Sequence, residues 1–186
     1  LNAAGVILAA GFSRRLGQPK QSLKLGGETL MERALRIAGE TGLSPVIAVV
    51  QPESGLDEVI EEWGGVVVLN GNAGEGIAAS IRVGVLEAQM LGAVGAVLMT
   101  CDQVAVTAEH LRQLCAEPDA AAGSAYAGKV GIPAYFPGAM FEELMTLRGD
   151  VGAAAFLCGA RAVSTEALAF DVDTDADVEK AREWLG

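Results

Sequence analysis

The segment Leu8-Ala-Ala-Gly-Phe-Ser-Arg-Arg-Leu-Gly-Gln-Pro-Lys20 is the first stretch whose residue types and spacing could do chemistry. At Gly11 no Cβ separates a ligand from the backbone, so amide N–H groups can approach it closely. Arg15 and Lys20 bring positive charge to the same loop, and Pro19 stiffens the approach to Lys20. Exposed amide donors beside cations are what a triphosphate requires. A plain turn with solvated arginines would share the Ala-Ala-Gly, but not Arg15, Gly17, Pro19 and Lys20 in that order. The loop is neither a Walker A loop, which needs Gly-Lys-Ser/Thr opening a helix, nor a dinucleotide-binding glycine fingerprint.

Three further segments carry candidate chemistry. In Met99-Thr-Cys-Asp-Gln103, Asp102 follows a buried apolar run, where a carboxylate can hold a hard cation such as Mg²⁺ over phosphate oxygens. Alone it would read as a turn aspartate. In Phe170-Asp-Val-Asp-Thr-Asp-Ala-Asp177 an extended backbone would put Asp171 and Asp173 on one face, about 7 Å apart. Asp173 is assigned to the metal; the pattern at Asp171 serves a metal or a structural role equally. Thr174, Asp175 and Asp177 read as helix capping and first-turn acids. In Gly74-Glu-Gly-Ile-Ala-Ala-Ser-Ile-Arg82 glycines precede a helical run, leaving N–H groups for an anion or a base edge, although a surface loop has the same composition.

The elements that must position these loops alternate as in a βαβ chain. Apolar runs at 5–10, 45–50, 66–69 and 95–100 read as buried strands. Helical spacing appears over 28–41, 56–63, 77–91 and 107–115, with Thr107 as an N-cap. Two short strands, partly antiparallel, are predicted at 121–127 and 130–136, helices at 141–147 and 153–157, then a strand at 167–172 and a helix at 175–185. The prediction is one domain over 1–186, a three-layer α/β/α Rossmann-like fold with a mixed, mostly parallel sheet. Ligands of such sheets bind beyond the carboxyl ends of the strands, at the point where the topology reverses. The loops after Ala10, Leu69, Thr100 and Phe170 are the ones to inspect.

A 186-residue chain can bury a sizeable core. Its net charge of −11 argues against a nucleic acid polymer as partner, while Arg14, Arg15, Lys20 and Lys24 still form a local basic segment suited to a small phosphorylated ligand. No apolar run approaches the ~18 residues that cross a bilayer. No basic region leads into a cleavable apolar stretch, so no secretory signal is read, and Leu1 in place of Met is taken as a sign of trimming. Cys101, Cys115 and Cys158 lack ligand spacing and read as reduced, buried thiols of a cytoplasmic protein. His110 has no second histidine or cysteine pair beside it, which disfavours zinc.

The first loop resembles the LAAGxSxRLGxPK signature of the nucleotidyltransferases that act on sugar phosphates and cofactors, the nucleotide-diphospho-sugar transferase fold. LAAGFSRRLGQPKQ, GEGIAASIRVG, TCDQVAVTAEHL, GIPAYF, RGDVGAAAFL and FDVDTDADV, in that order, are similar to the MobA-like group, and within it to the molybdenum cofactor cytidylyltransferases. The resemblance implies transfer of CMP from CTP to the phosphate of molybdopterin with release of pyrophosphate, Mg²⁺ as cofactor, and a molybdoenzyme as downstream partner. It implies that Leu8, Ala9, Ala10, Gly11 and Ser13 bind the nucleotide, with base and ribose on Ala9 to Gly11. Arg15 and Lys20 would hold the phosphates, Asp102 and Asp173 the metal, and the stretch from Glu75 to Ser80, with Gly76, would select the base. Arg15, Lys20 and Asp102 are thereby the catalytic set. The chain departs from the group at Ile132, where His is usual, at Val104, where Pro is usual, and at Val151 and Ala154, where basic residues are usual. Two other readings fit: an enzyme of the same fold acting on a sugar phosphate or another small phosphorylated metabolite, and a non-catalytic nucleotide-binding helper in cofactor insertion.

Overall fold

The computed structural model describes residues 2–11 and 19–185. In chain order the strands and helices are β1 (Ala4–Leu8), β2 (Lys24–Leu25), β3 (Glu28–Thr29), α1 (Leu30–Thr41), β4 (Val46–Val50), α2 (Asp57–Glu62), β5 (Val66–Leu69), α3 (Ile77–Met90), β6 (Gly95–Met99), α4 (Ala108–Leu114), β7 (Ala122–Tyr126), β8 (Lys129–Pro137), α5 (Phe141–Leu144), β9 (Arg161–Ser164) and α6 (Asp175–Leu185). The main sheet runs β5-β4-β1-β6-β8-β7-β9, and β2 pairs with β3 in a small hairpin. Among the described strands of the main sheet β8 alone is antiparallel to its neighbours.

Strict alternation along the central strands makes the layers. Ile7, Ala48, Val50, Val97 and Met99 face one core with α1, α2, α4 and α6. Val6, Leu8, Ile47, Val49, Ala96 and Leu98 face the other, under α3 and α5. Helix α3 lies close to the sheet because residue 84 is glycine. A Cβ there would stand 2.5 Å from Val6 Cγ1 and 2.9 Å from Val49 Cγ2. Helix α1 begins with a capping box, in which Thr29 Oγ1 accepts from Glu32 N and the Glu32 carboxylate accepts from Thr29 N. Thr107 caps α4 as predicted, accepting from His110 N at 3.2 Å.

The chain goes from β1 outward to β4 and β5, then returns across the sheet to β6 on the opposite side of β1. The topology therefore reverses between β1 and β6, and the crevice for a ligand opens beyond their carboxyl ends. Helix α3 spans the crossover.

Three expectations are corrected. The strand predicted at 167–172 is a 3₁₀ turn, Glu166–Ala169, followed by extended chain; the last strand is β9, at Arg161–Ser164. The helix predicted at 153–157 is likewise a 3₁₀ turn, Ala153–Phe156. Cys158 is also exposed, whereas Cys101 and Cys115 are buried as expected. No helix among the described residues is long and apolar enough to cross a membrane.

Candidate active site

A cavity of about 600 Å³ opens at the predicted switch point, a size suited to a nucleotide. Leu8, Ala9, Ala10 and Gly11 line it from the end of β1, Thr100, Cys101 and Asp102 from the end of β6, and Gly76 and Ser80 from the start of α3, with Lys20 also in its wall. Of the residues expected from sequence, Ser13 and Arg15 lie outside the described residues. All the other nucleotide-binding candidates meet in this one cavity.

The turn after β1 is held by two glutamines. Buried Gln21 donates through Nε2 to the Ala9 carbonyl and, at 3.5 Å, to that of Gly11. Gln51 donates to the Ala10 carbonyl at 2.7 Å. Gln21 directly follows Lys20 in a 3₁₀ turn, Lys20–Ser22, so the same short element that presents Lys20 also clamps the loop it serves. Sequence reasoning passed over both glutamines. Their only advance signal was Gln21's place at the end of the long motif.

Lys20 Nζ donates to Asp102 Oδ2 and, at 3.1 Å, to Asp173 Oδ1. Burial alone would lower the lysine's pKa, but the carboxylates of Asp102 and Asp173 outweigh it and hold it above the ordinary lysine range. Lys20 therefore carries a full positive charge at any physiological pH. Asp173 arrives by a path the sequence did not suggest. β9 runs parallel to β7 and so leaves the sheet at the same edge as β1 and β6. The Val172 amide then donates to the Asp102 carbonyl at 3.1 Å, and the Val172 side chain is fully buried. In extended chain the residues on either side of an inward side chain turn the other way, which sends Asp171 and Asp173 toward solvent and the site. Crowding of the Asp171 carboxyl, then the charges of Asp102 and Asp173, push its pKa up to about 6, although much of the residue's surface stays accessible. Thr174 and Asp177 cap α6 reciprocally, as read from sequence.

The buried Cys101 thiol also lines the cavity. Burial, with Asp102 adjacent, pushes it up to about 12, so it stays a neutral thiol and not a nucleophile. Ser80 is buried and accepts from Asn70 Nδ2 at 2.9 Å, which ties the start of α3 to the exit of β5. The Ala78 amide at the head of α3 donates to the Gly149 carbonyl at 3.1 Å. That helix end is thus partly satisfied by protein, contrary to the open donors expected there. Asp150 lines the cavity beside Gly76, a residue the sequence reading quoted but gave no role.

Among the described residues, Lys20 and carboxylates from two distant loops thus converge at a nucleotide-sized cavity, an arrangement suited to phosphoryl chemistry by charge neutralisation. A model of the MobA-like NTP transferase domain matches residues 5–165. The chain belongs to this family. Purine catabolism protein PucB of Bacillus subtilis (strain 168) is 34% identical over 164 residues, 82% of this chain and 79% of that protein. A probable molybdenum cofactor guanylyltransferase of Opitutus terrae is 32% identical over 120 residues, 60% of this chain and 55% of that one. Rv0371C of Mycobacterium tuberculosis H37Rv, solved in complex with manganese, superposes with a TM-score of 0.75 at 27% identity, covering 97% of this chain and 98% of that chain. As a MobA-like protein the chain is a nucleotidyltransferase, and its three-layer, mostly parallel architecture is the fold of that family.

The donor set suits a divalent cation carried in by a nucleotide. Asp102 and Asp173 approach one another closely enough to share the Lys20 ammonium. No group of three or more His, Cys, Asp or Glu able to hold an ion occurs among the described residues. Two carboxylates completed by phosphate oxygens and water are the common ligation of Mg²⁺, which rarely has an all-protein cage.

Proposed function

We propose that this chain transfers CMP from CTP to the phosphate of molybdopterin and releases pyrophosphate, acting as one cytoplasmic domain over 1–186 that hands its product to a molybdoenzyme. The observation that carries the reading is Lys20, held by Asp102 and Asp173 at the mouth of the cavity lined by Leu8 to Gly11. Support for CTP and for the acceptor comes from the resemblance of the ordered loop motifs. In the proposed step an acceptor phosphate oxygen attacks the α-phosphorus in line, a new P–O bond forms, and the bond to the bridging oxygen of the β-phosphate breaks. The attacking oxygen is already ionised near neutral pH, so no general base is required, and positioning with charge neutralisation supplies the rate.

Lys20, with Arg15, offsets the charge that gathers on the departing pyrophosphate. Ala9 to Gly11 and Ser13 carry the nucleoside and sugar side, and Gly76 and Ser80 shape the base end. Asp102 and Asp173, with Asp171 beside them, are the residues that would hold Mg²⁺. The chemistry such an ion supplies when bound is neutralisation of the phosphate oxygens. The guanylyltransferase name of the Opitutus relative favours GTP as a second reading of the donor. Pyrophosphate release measured over CTP, GTP, UTP and ATP, each with Mg²⁺ and with molybdopterin, a sugar phosphate or methylerythritol phosphate, tests both. Release confined to CTP with molybdopterin is expected. Release with a sugar phosphate alone moves the acceptor, and release with none overturns catalysis in favour of a binding role.

A further inference from the structure

Asp150 puts an acceptor-only group into the wall of a cavity read here as the site of a polyanion. A triphosphate placed against that carboxylate would be repelled, so the part of the ligand facing it must offer N–H or O–H donors. Its location agrees. Asp150 Oδ1 lies so close to Gly76 that a Cβ there would come within 2.3 Å of it. Lys20, by contrast, is engaged by Asp102 and Asp173.

The loop that carries Asp150 is fixed to the head of α3 twice. The Ala78 amide donates to the Gly149 carbonyl at 3.1 Å, and Arg82 Nη1 donates to the Leu147 carbonyl at 2.9 Å. Arg82 also pairs with Glu75 at 2.9 Å, joining the loop before α3 to the same clamp. Asp150 itself has no hydrogen-bond or ion-pair partner among the described residues. A carboxylate on an anchored backbone, in a cavity wall and unengaged by protein, is poised to accept from a ligand.

Resting on the nucleotidyltransferase reading above, we infer that Asp150 is a specificity-determining residue whose carboxylate accepts from the exocyclic amino group of the nucleotide's base. Cytosine, guanine and adenine carry that donor. Uracil instead presents carbonyl oxygens on both sides of its single N–H, and these repel a carboxylate. Asp150 thereby selects for amino-bearing bases and against uracil, and glycine at 76, required by its φ of 106°, lets the carboxylate and the Gly149 carbonyl both pack against the chain there.

The test is isothermal titration of the full 186-residue chain with CTP, GTP, ATP and UTP, each with Mg²⁺, for wild type, D150A and D150N. A charge-assisted hydrogen bond is lost in D150A, so affinity for the preferred amino-bearing nucleotide should fall about 10-fold or more while that for UTP changes little. D150N offers a donor and an acceptor together, which matches uracil, so its UTP affinity should rise toward that of the preferred nucleotide. A loss in D150A that is equal for all four nucleotides would mean a sugar or phosphate contact and overturns the assignment, as does no change at all. Wild type that binds none of the four overturns the nucleotide reading itself, and this assignment with it.

Discussion

The Val172 amide donates to the Asp102 carbonyl over 3.1 Å. This bond joins a loop from the middle of the sheet to the approach of the last helix, segments 70 residues apart in sequence. It carries the side chains on either side of it to Lys20, whose ammonium closes the arrangement. Among the described residues, one main-chain tether and one shared cation therefore hold these carboxylates together.

Replacing Lys20 or Asp102 with Ala should lower kcat for pyrophosphate release by about 10²-fold or more, the scale of removing one preorganised charge. The two variants differ in what remains. Without Lys20, Asp102 and Asp173 face each other with a shared counter-charge removed, so K20A should also melt lower than D102A. Steady-state assays with thermal melts decide it; a folded K20A at full turnover is incompatible with the assignment.

Metal dependence should be confined to the nucleotide complex. Mg²⁺ alone should move Tm by less than about 1 °C, because two carboxylates sharing one lysine make a poor cage, whereas Mg²⁺ with saturating nucleotide should raise it by several degrees. EDTA should abolish pyrophosphate release without unfolding the chain. A large Tm rise with Mg²⁺ alone would reveal a preformed metal site.

Gly84→Ala tests the closeness of α3 to the sheet. Alanine would gain up to about 1 kcal/mol of helix propensity. Its methyl would sit 2.5 Å from Val6 Cγ1, and overpacking of this kind costs about 1–3 kcal/mol. The clash should win, giving a net loss of about 1–2 kcal/mol in urea unfolding. A more stable variant would mean that α3 can lift without penalty.

His110 should make stability depend on pH. Burial lowers its pKa below the ordinary histidine value. Its Nε2 lies 2.7 Å from Ser124 Oγ, which itself donates to the Pro133 carbonyl at 2.6 Å, so the neutral ring holds its proton on Nε2. A depressed folded pKa means the unfolded chain binds the proton more readily. The contribution is complete above about pH 6.5 and is lost as pH falls from there toward the folded value. Between pH 7.5 and 5.5, wild type should lose more stability than His110→Gln, whose residue 110 does not titrate. Parallel curves for the two would remove histidine from the account.

The central strands were legible because burial on both faces writes itself as unbroken apolar runs; β1, β4, β5 and β6 fall within two residues of their predicted bounds. β9 was not. It is an edge strand of four residues in which only Val163 is buried, so Arg-Ala-Val-Ser leaves no hydrophobic pattern. The more apolar stretch just after it, around Leu168 and Phe170, imitates a strand but packs as a 3₁₀ turn and extended chain. Lys20, Asp102 and Asp173 were readable because charge placed directly after apolar runs is conspicuous. Asp150 was not, since Arg-Gly-Asp between two helical patterns has the composition of any turn. Gln21 and Gln51 act only through main-chain carbonyls, which no side-chain pattern reports.

The reversal of β8 shapes the working rim of the molecule. Because it runs against its neighbours, its first residues project beyond the end of β6, and Gln103 reaches across to the Ile132 carbonyl at 3.1 Å. Tyr126 bonds that carbonyl as well, and the Lys129 ammonium sits 5.3 Å from the centre of the Tyr126 ring. A hairpin thus stands as a parapet next to Asp102, where a parallel strand would have delivered a helix. A parapet of this kind can lengthen, shorten or change its charge while the glutamine-clamped turn and the lysine between two carboxylates remain as they are.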